Sequence, residues 1–135
     1  MIRIGTYDAA REFLDGADQC DLIGSKTFLR RVPAAALDLP GEDAYQVVLD
    51  TSALLTFASD QSVIYYAGPW GSPTARSRMN TLGARDVRVE SDPEDPDGLI
   101  ISVEGMTPVR FLGFSVRVMK DGEIRQLPKL KLEDV

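Results

Sequence analysis

Residues 45–83 read YQVVLDTSALLTFASDQSVIYYAGPWGSPTARSRMNTLG, and the architecture is decided there. The first half is apolar in short pieces broken at Asp50-Thr51-Ser52 and at Ser59-Asp60-Gln61-Ser62, the pattern of consecutive antiparallel strands. Tyr45, Val47 and Leu49, then Ala53, Leu55 and Phe57, then Val63, Tyr65 and Ala67 alternate with their neighbours, so each set points to one side. These sets form the expected core face. Leu54, Ile64 and Tyr66 fall on the opposite face, which is apolar enough that a second layer has to cover part of it.

After Gly68-Pro69-Trp70-Gly71 the period changes. Ser72 is a helix N-cap, Pro73 occupies the first helical position where a missing N–H costs nothing, and Gly83 is a stop. Ala75, Met79 and Leu82 recur at i, i+4 and i+7, a narrow stripe that lays a helix over about 73–82 against the sheet.

Upstream, Thr6 caps a second helix over about 7–17, with Tyr7, Ala10, Phe13 or Leu14, and Ala17 on one side and Asp8 in the first turn. Ser25 to Val32 reads as an edge strand stopping at Pro33, and AAALDLPGED (34–43) as a loop or single helical turn. Downstream, Asp86 to Glu90 and Leu99 to Val103 alternate as strands. Val109 to Met119 runs into Asp121-Gly122, a strong local hairpin signal, with Glu123 to Leu127 returning beside Val116 and Val118. SDPEDPDG (91–98) has the outline of a calcium loop. It lacks the ligand spacing and the closing glutamate, so a solvated turn is expected.

The fold expectation is therefore one α+β domain over 1–135: a mainly antiparallel β-sheet of roughly six to eight strands with two short helices and a frayed tail at 128–135.

The 135 residues carry 44% hydrophobic and 27% charged side chains, a net charge of −6, one cysteine and no histidine. The missing histidine removes Ser-His-Asp and Cys-His catalysis and histidine metal ligands together. Cys20 sits between Asp18 and Asp21, which oppose a thiolate, and reads as a structural thiol. No apolar run approaches the about 20 residues of a spanning helix, and the N-terminus lacks a signal pattern. The expectation is a cytoplasmic protein with no membrane partner, no cofactor and no metal.

Residues 47–80 resemble a family of small proteins from actinobacteriophages and their hosts. The family pattern is a strand, a TPVVTF-like strand, a D-G type turn, a further strand, then GGW-x-T-x-T-T-x-x-R-[IM]-N. The matching residues are Leu54-Leu55-Thr56-Phe57, Asp60-Gln61, Gly68-Pro69-Trp70-Gly71-Ser72-Pro73-Thr74 and Arg78-Met79-Asn80. LIGSKTFLRR (22–31) is similar to the family's IGNNTYL-x-R segment. Pro69 replaces a glycine and Ala75 a second threonine. The resemblance covers about a quarter of the chain; it implies phage or prophage origin and brings no activity with it.

Trp70, on the turn between sheet and helix, reads first as a plug between the two, and alternatively as a stacking platform or an anchor for a partner. Thr74, Arg76 and Arg78 open the helix where a phosphate would find free N–H groups. Residues two apart lie about 160° apart around a helix, so the two arginines flank the apolar stripe. Arg85 and Arg88 follow, and Lys26, Arg30 and Arg31 make a second basic segment; acids dominate from Asp38 to Asp60 and from Glu90 to Asp97. Asn80 is expected to bond a nearby loop backbone.

Three functional expectations follow. The first is a non-enzymatic accessory protein, an inhibitor or adaptor of host machinery, that binds a protein partner or a second copy of itself. The alternative is a nucleic-acid binder using Trp70, Thr74, Arg76, Arg78, Arg85, Arg30 and Arg31. The third, an enzyme built on carboxylates or on Tyr45, Tyr65 and Tyr66, has no constellation to support it.

Overall fold

Helix α1 (Tyr7–Leu14) begins where the Thr6 hydroxyl accepts the Ala9 N–H at 3.1 Å, the side-chain cap its sequence announces. It is shorter than the expected 7–17. Asp15 and Gly16 both adopt left-handed backbone, the Asp15 N–H closes on the Arg11 carbonyl, and Ala17 is left exposed. The computed structural model describes residues 4–22, 26–66, 73–111 and 115–127. Residues 68–72, where a turn carrying Trp70 is expected, and 128–135, the expected tail, lie outside them.

Strands β1 (Gln19–Asp21), β2 (Thr27–Pro33), β3 (Asp43–Leu49), β4 (Ser52–Phe57), β5 (Val63–Tyr65), β9 (Val116–Val118) and β10 (Ile124–Gln126) form one antiparallel sheet in that order. Between β5 and β9 the chain makes an excursion. It forms α2 (Pro73–Leu82) and then β6 (Val87–Asp92), β7 (Asp95–Val103) and β8 (Val109–Phe111), a separate three-stranded antiparallel sheet. The fold is α+β and mainly antiparallel, with seven strands in the larger sheet.

Several local readings change. β2 is not an edge strand, because β1, a tripeptide in which only Cys20 is half-buried, pairs along its outer side. The run from Val109 to Met119 divides into two strands that pair in different sheets. SDPEDPDG is not a loop: β6 continues to Asp92 and β7 starts at Asp95, so Pro93 and Glu94 alone make the turn. The Asp121-Gly122 hairpin forms with Ile124 opposite Val118 and Gln126 opposite Val116, and Gly122 takes φ +92°.

The two sheets share one buried cluster. Leu29, Val47, Leu55, Phe57, Val63, Tyr65, Val116 and Val118 of the large sheet meet Ala10 and Leu14 of α1, Ala75, Met79 and Leu82 of α2, and Val87, Val89, Leu99 and Ile101 of the small sheet. The stripe on α2 is thus its packed face. Gly83 ends that helix: a Cβ there would overlap the Met79 carbonyl and the Tyr65 hydroxyl, and that hydroxyl accepts the Ala84 N–H at 2.9 Å. The burial that seals the Tyr65 ring pushes its phenol well above the usual tyrosine range.

The opposite face has its own small layer. The 3-10 turn Ala34–Leu37 and Leu39 pack with Ala44, Ala58 and Ile64, and the half-buried Val32, Leu37, Tyr66 and Leu127 border them. Ile64 and Tyr66 take the side expected of them, whereas Leu54 belongs to the large cluster at 1% exposure. A register shift at Val47/Val48 breaks the alternation of β3 against β4 and accounts for the difference.

Candidate interaction surface on the outer sheet face

Adjacent residues of a strand point to opposite faces, so Arg30 and Arg31 are separated at once. Arg31 shares its side with Leu29 and ion-pairs with Asp18. It borders a pocket of about 290 Å³ lined by Arg11, Leu14, Asp43 and Tyr45 among others. There the Tyr7 and Tyr45 rings lie 5.0 Å apart and Arg11 sits over Tyr7. Burial first, then Tyr7 and Asp43, push the Tyr45 phenol up.

Arg30 lies on the outer face. Pairing across the sheet sets Arg30 opposite Gln46, Gln46 opposite Thr56, Thr56 opposite Ile64, Ile64 opposite Arg117 and Arg117 opposite Arg125. One row of side chains therefore crosses from β2 to β10, and its left half is a connected polar network. The Gln46 Oε1 accepts from Arg30 Nε at 2.9 Å and Nη2 at 2.5 Å. Its Nε2 donates to Thr56 Oγ1 at 3.1 Å and reaches the Tyr66 hydroxyl at 3.5 Å, while Thr56 and Tyr66 bond each other at 2.9 Å. Gln46 is 4% exposed, and these bonds satisfy both ends of an amide that would otherwise be costly to bury.

The right half is built on charge. Arg117 donates to Ser62 Oγ at 2.8 Å and to Asp60 Oδ2 at 2.6 Å, and Asp60 also accepts the Ser62 N–H and hydroxyl. Burial pushes the Asp60 carboxyl up, but the Ser62 bonds and the Arg117 guanidinium outweigh it and hold the carboxyl below its usual range. Arg125 grips Glu123 through Nε and Nη2 at 3.1 and 3.2 Å.

The other residues singled out by sequence lie elsewhere. Thr74 is exposed on the first turn of α2; Arg76 and Arg78 are half-buried, and Arg78 Nε reaches Thr27 Oγ1 at 3.3 Å, where β2 starts. Arg85 is exposed in the turn before β6. Arg78 thus meets the beginning of the second basic segment, while Arg30 faces away from it. Asn80 does bond backbone, though of a strand: it takes the N–H of Val89 at 2.7 Å and gives to its carbonyl at 2.9 Å along the free side of β6. Cys20 is half-buried and unpaired.

The network of Arg30, Gln46, Thr56 and Tyr66 is the part that sequence reasoning missed. Its available signal was a glutamine within an apolar strand, with a threonine at the matching place in the next. Among the described residues no helix is long and apolar enough to cross a membrane, and no group of three acidic or cysteine side chains is arranged to hold a metal. In comparisons with protein families, curated proteins and solved structures, nothing matches the chain.

Proposed function

We propose that the protein is a phage- or prophage-encoded accessory protein that acts without catalysis, by binding another protein through the outer face of its seven-stranded sheet. The observation that carries this reading is the make-up of that face. Half-buried Phe28, Val32 and Tyr66 adjoin a guanidinium on a rigid polar network, the mixture of aromatic, aliphatic and arginine groups that anchors protein interfaces. A strand scaffold holds these groups in place before a partner arrives, which lowers the ordering cost of association. The resemblance of residues 54–57 and 68–80 to actinobacteriophage proteins supports the origin and, with it, a cytoplasmic host setting.

The experiment is affinity capture from an actinobacterial lysate with the wild type, Tyr66→Ala and Arg85→Ala. A protein retained by the wild type and Arg85→Ala but lost from Tyr66→Ala supports the reading. No specific protein at micromolar bait, or equal retention by all three, overturns it.

A second reading has one observation in its favour: the Arg78 contact with Thr27 brings α2 beside the basic segment that starts at Lys26. On this reading Trp70, Thr74, Arg76, Arg78 and Arg85 bind nucleic acid. A shift of DNA or RNA in a gel at about 50 mM salt that weakens steeply as salt rises supports it, and the absence of any shift removes it.

A further inference from the structure

Of the three arginines in the cross-sheet row, Arg117 is neutralised by Asp60 and Arg125 by Glu123, whereas the partner of Arg30 is a neutral amide. The half-buried Arg30 makes no bond to a carboxylate among the described residues. Gln46 takes the Nε–Nη2 edge of the guanidinium and cannot rotate away, because its own amide nitrogen is held by Thr56 and Tyr66. The Nη1–Nη2 edge is thereby fixed and left for a second ligand. A planar fork in that state matches a carboxylate through two parallel bonds.

We propose that Arg30 is the docking point for an acidic side chain, aspartate or glutamate, on the protein partner, with Tyr66 and Phe28 covering the apolar atoms beside it; this rests on the protein-binding reading above. Charge selects a lone carboxylate over a nucleic acid. A polyanion gains its affinity from several phosphate contacts at once, and here Asp60 and Glu123 stand along the same row as Arg30, the one arginine of that row with no carboxylate partner among the described residues.

The test follows the Arg30 Nε–H and the Gln46 side-chain amide by NMR while the full chain is titrated, at low salt, with a short glutamate-rich synthetic peptide, its glutamine counterpart and a single-stranded oligonucleotide. Saturable shifts with the glutamate peptide are expected, with affinity about tenfold lower for the glutamine peptide and for Arg30→Met. Gln46→Glu is the sharper variant: it supplies Arg30 with a carboxylate from within, keeps the guanidinium, and loses the peptide while the dispersed spectrum reports an intact fold.

Equal binding of the two peptides overturns the proposal, as does tighter binding of the oligonucleotide. Self-association in sedimentation that Arg30→Met abolishes assigns the site to a second copy and also overturns it. The two readings fail separately: capture lost from Tyr66→Ala with no peptide shift at Arg30 sinks the carboxylate site alone, and peptide binding without capture sinks the accessory-protein reading.

Discussion

On the inner face of strands β2 to β5, Leu29, Val47, Leu55, Phe57 and Tyr65 are wholly removed from water. On their outer face the half-buried Arg30 and Tyr66 are joined by a chain of polar bonds through the buried Gln46 and Thr56. The same strands therefore do two jobs. Inside, non-directional burial holds α1, α2 and the small sheet to the large one, and stability scales with area removed from water. Outside, directional bonds fix where a few groups point, at little net gain in stability.

The comparison is open to direct attack. Phe57→Ala is expected to cost about 3–5 kcal/mol, read from urea unfolding, because it opens a cavity in the shared cluster. A loss no larger than that of an outer-face variant would break the division. Asn80→Ala should cost about 2 kcal/mol, since it strips both bonds from the Val89 peptide at the side of β6. Hydrogen exchange at Val89 should rise with it.

Gln46→Leu is expected to cost about 1.5 kcal/mol, and combining it with Thr56→Val should cost less than the sum, as for groups in one network. Strict additivity would show that the outer bonds act independently. The smallest effect concerns pH. The folded-state pKa of Asp60 is lowered, so its contribution is complete above the unfolded value near 4 and fades as pH falls through the lower folded value. Asp60→Asn should therefore be less stable than the wild type at neutral pH, by an amount that closes below about pH 4. A gap that persists at low pH assigns the loss to the Ser62 and Arg117 bonds rather than to charge.

The inner face was legible where it depends on period alone: alternation through Tyr45 and Val47, Leu55 and Phe57, Val63 and Tyr65, and the Ala75, Met79, Leu82 stripe, mark buried sides without reference to any distant residue, whereas Ala53, expected beside them, falls on the side of Val48. The caps at Thr6 and Gly83 and the Asp121-Gly122 hairpin are local chemistry and were legible for the same reason. What escaped depends on neighbours far along the chain. β1 is a strand only because β2 pairs with it, Leu54 turns inward through a register shift against β3, and the row from Arg30 to Arg125 exists only once six strands are aligned. Arg30 and Gln46 are 16 residues apart, and no spacing rule joins them.

The amide of Asn80 has a consequence for how the molecule behaves in a crowded solution. By bonding the N–H and the carbonyl of Val89 as a neighbouring strand would, it occupies the free edge of β6, and an incoming chain that tried to pair there would first have to displace it. Asn80→Ala is therefore expected to open the β6 edge to strand addition, read as faster aggregation than the wild type at equal concentration.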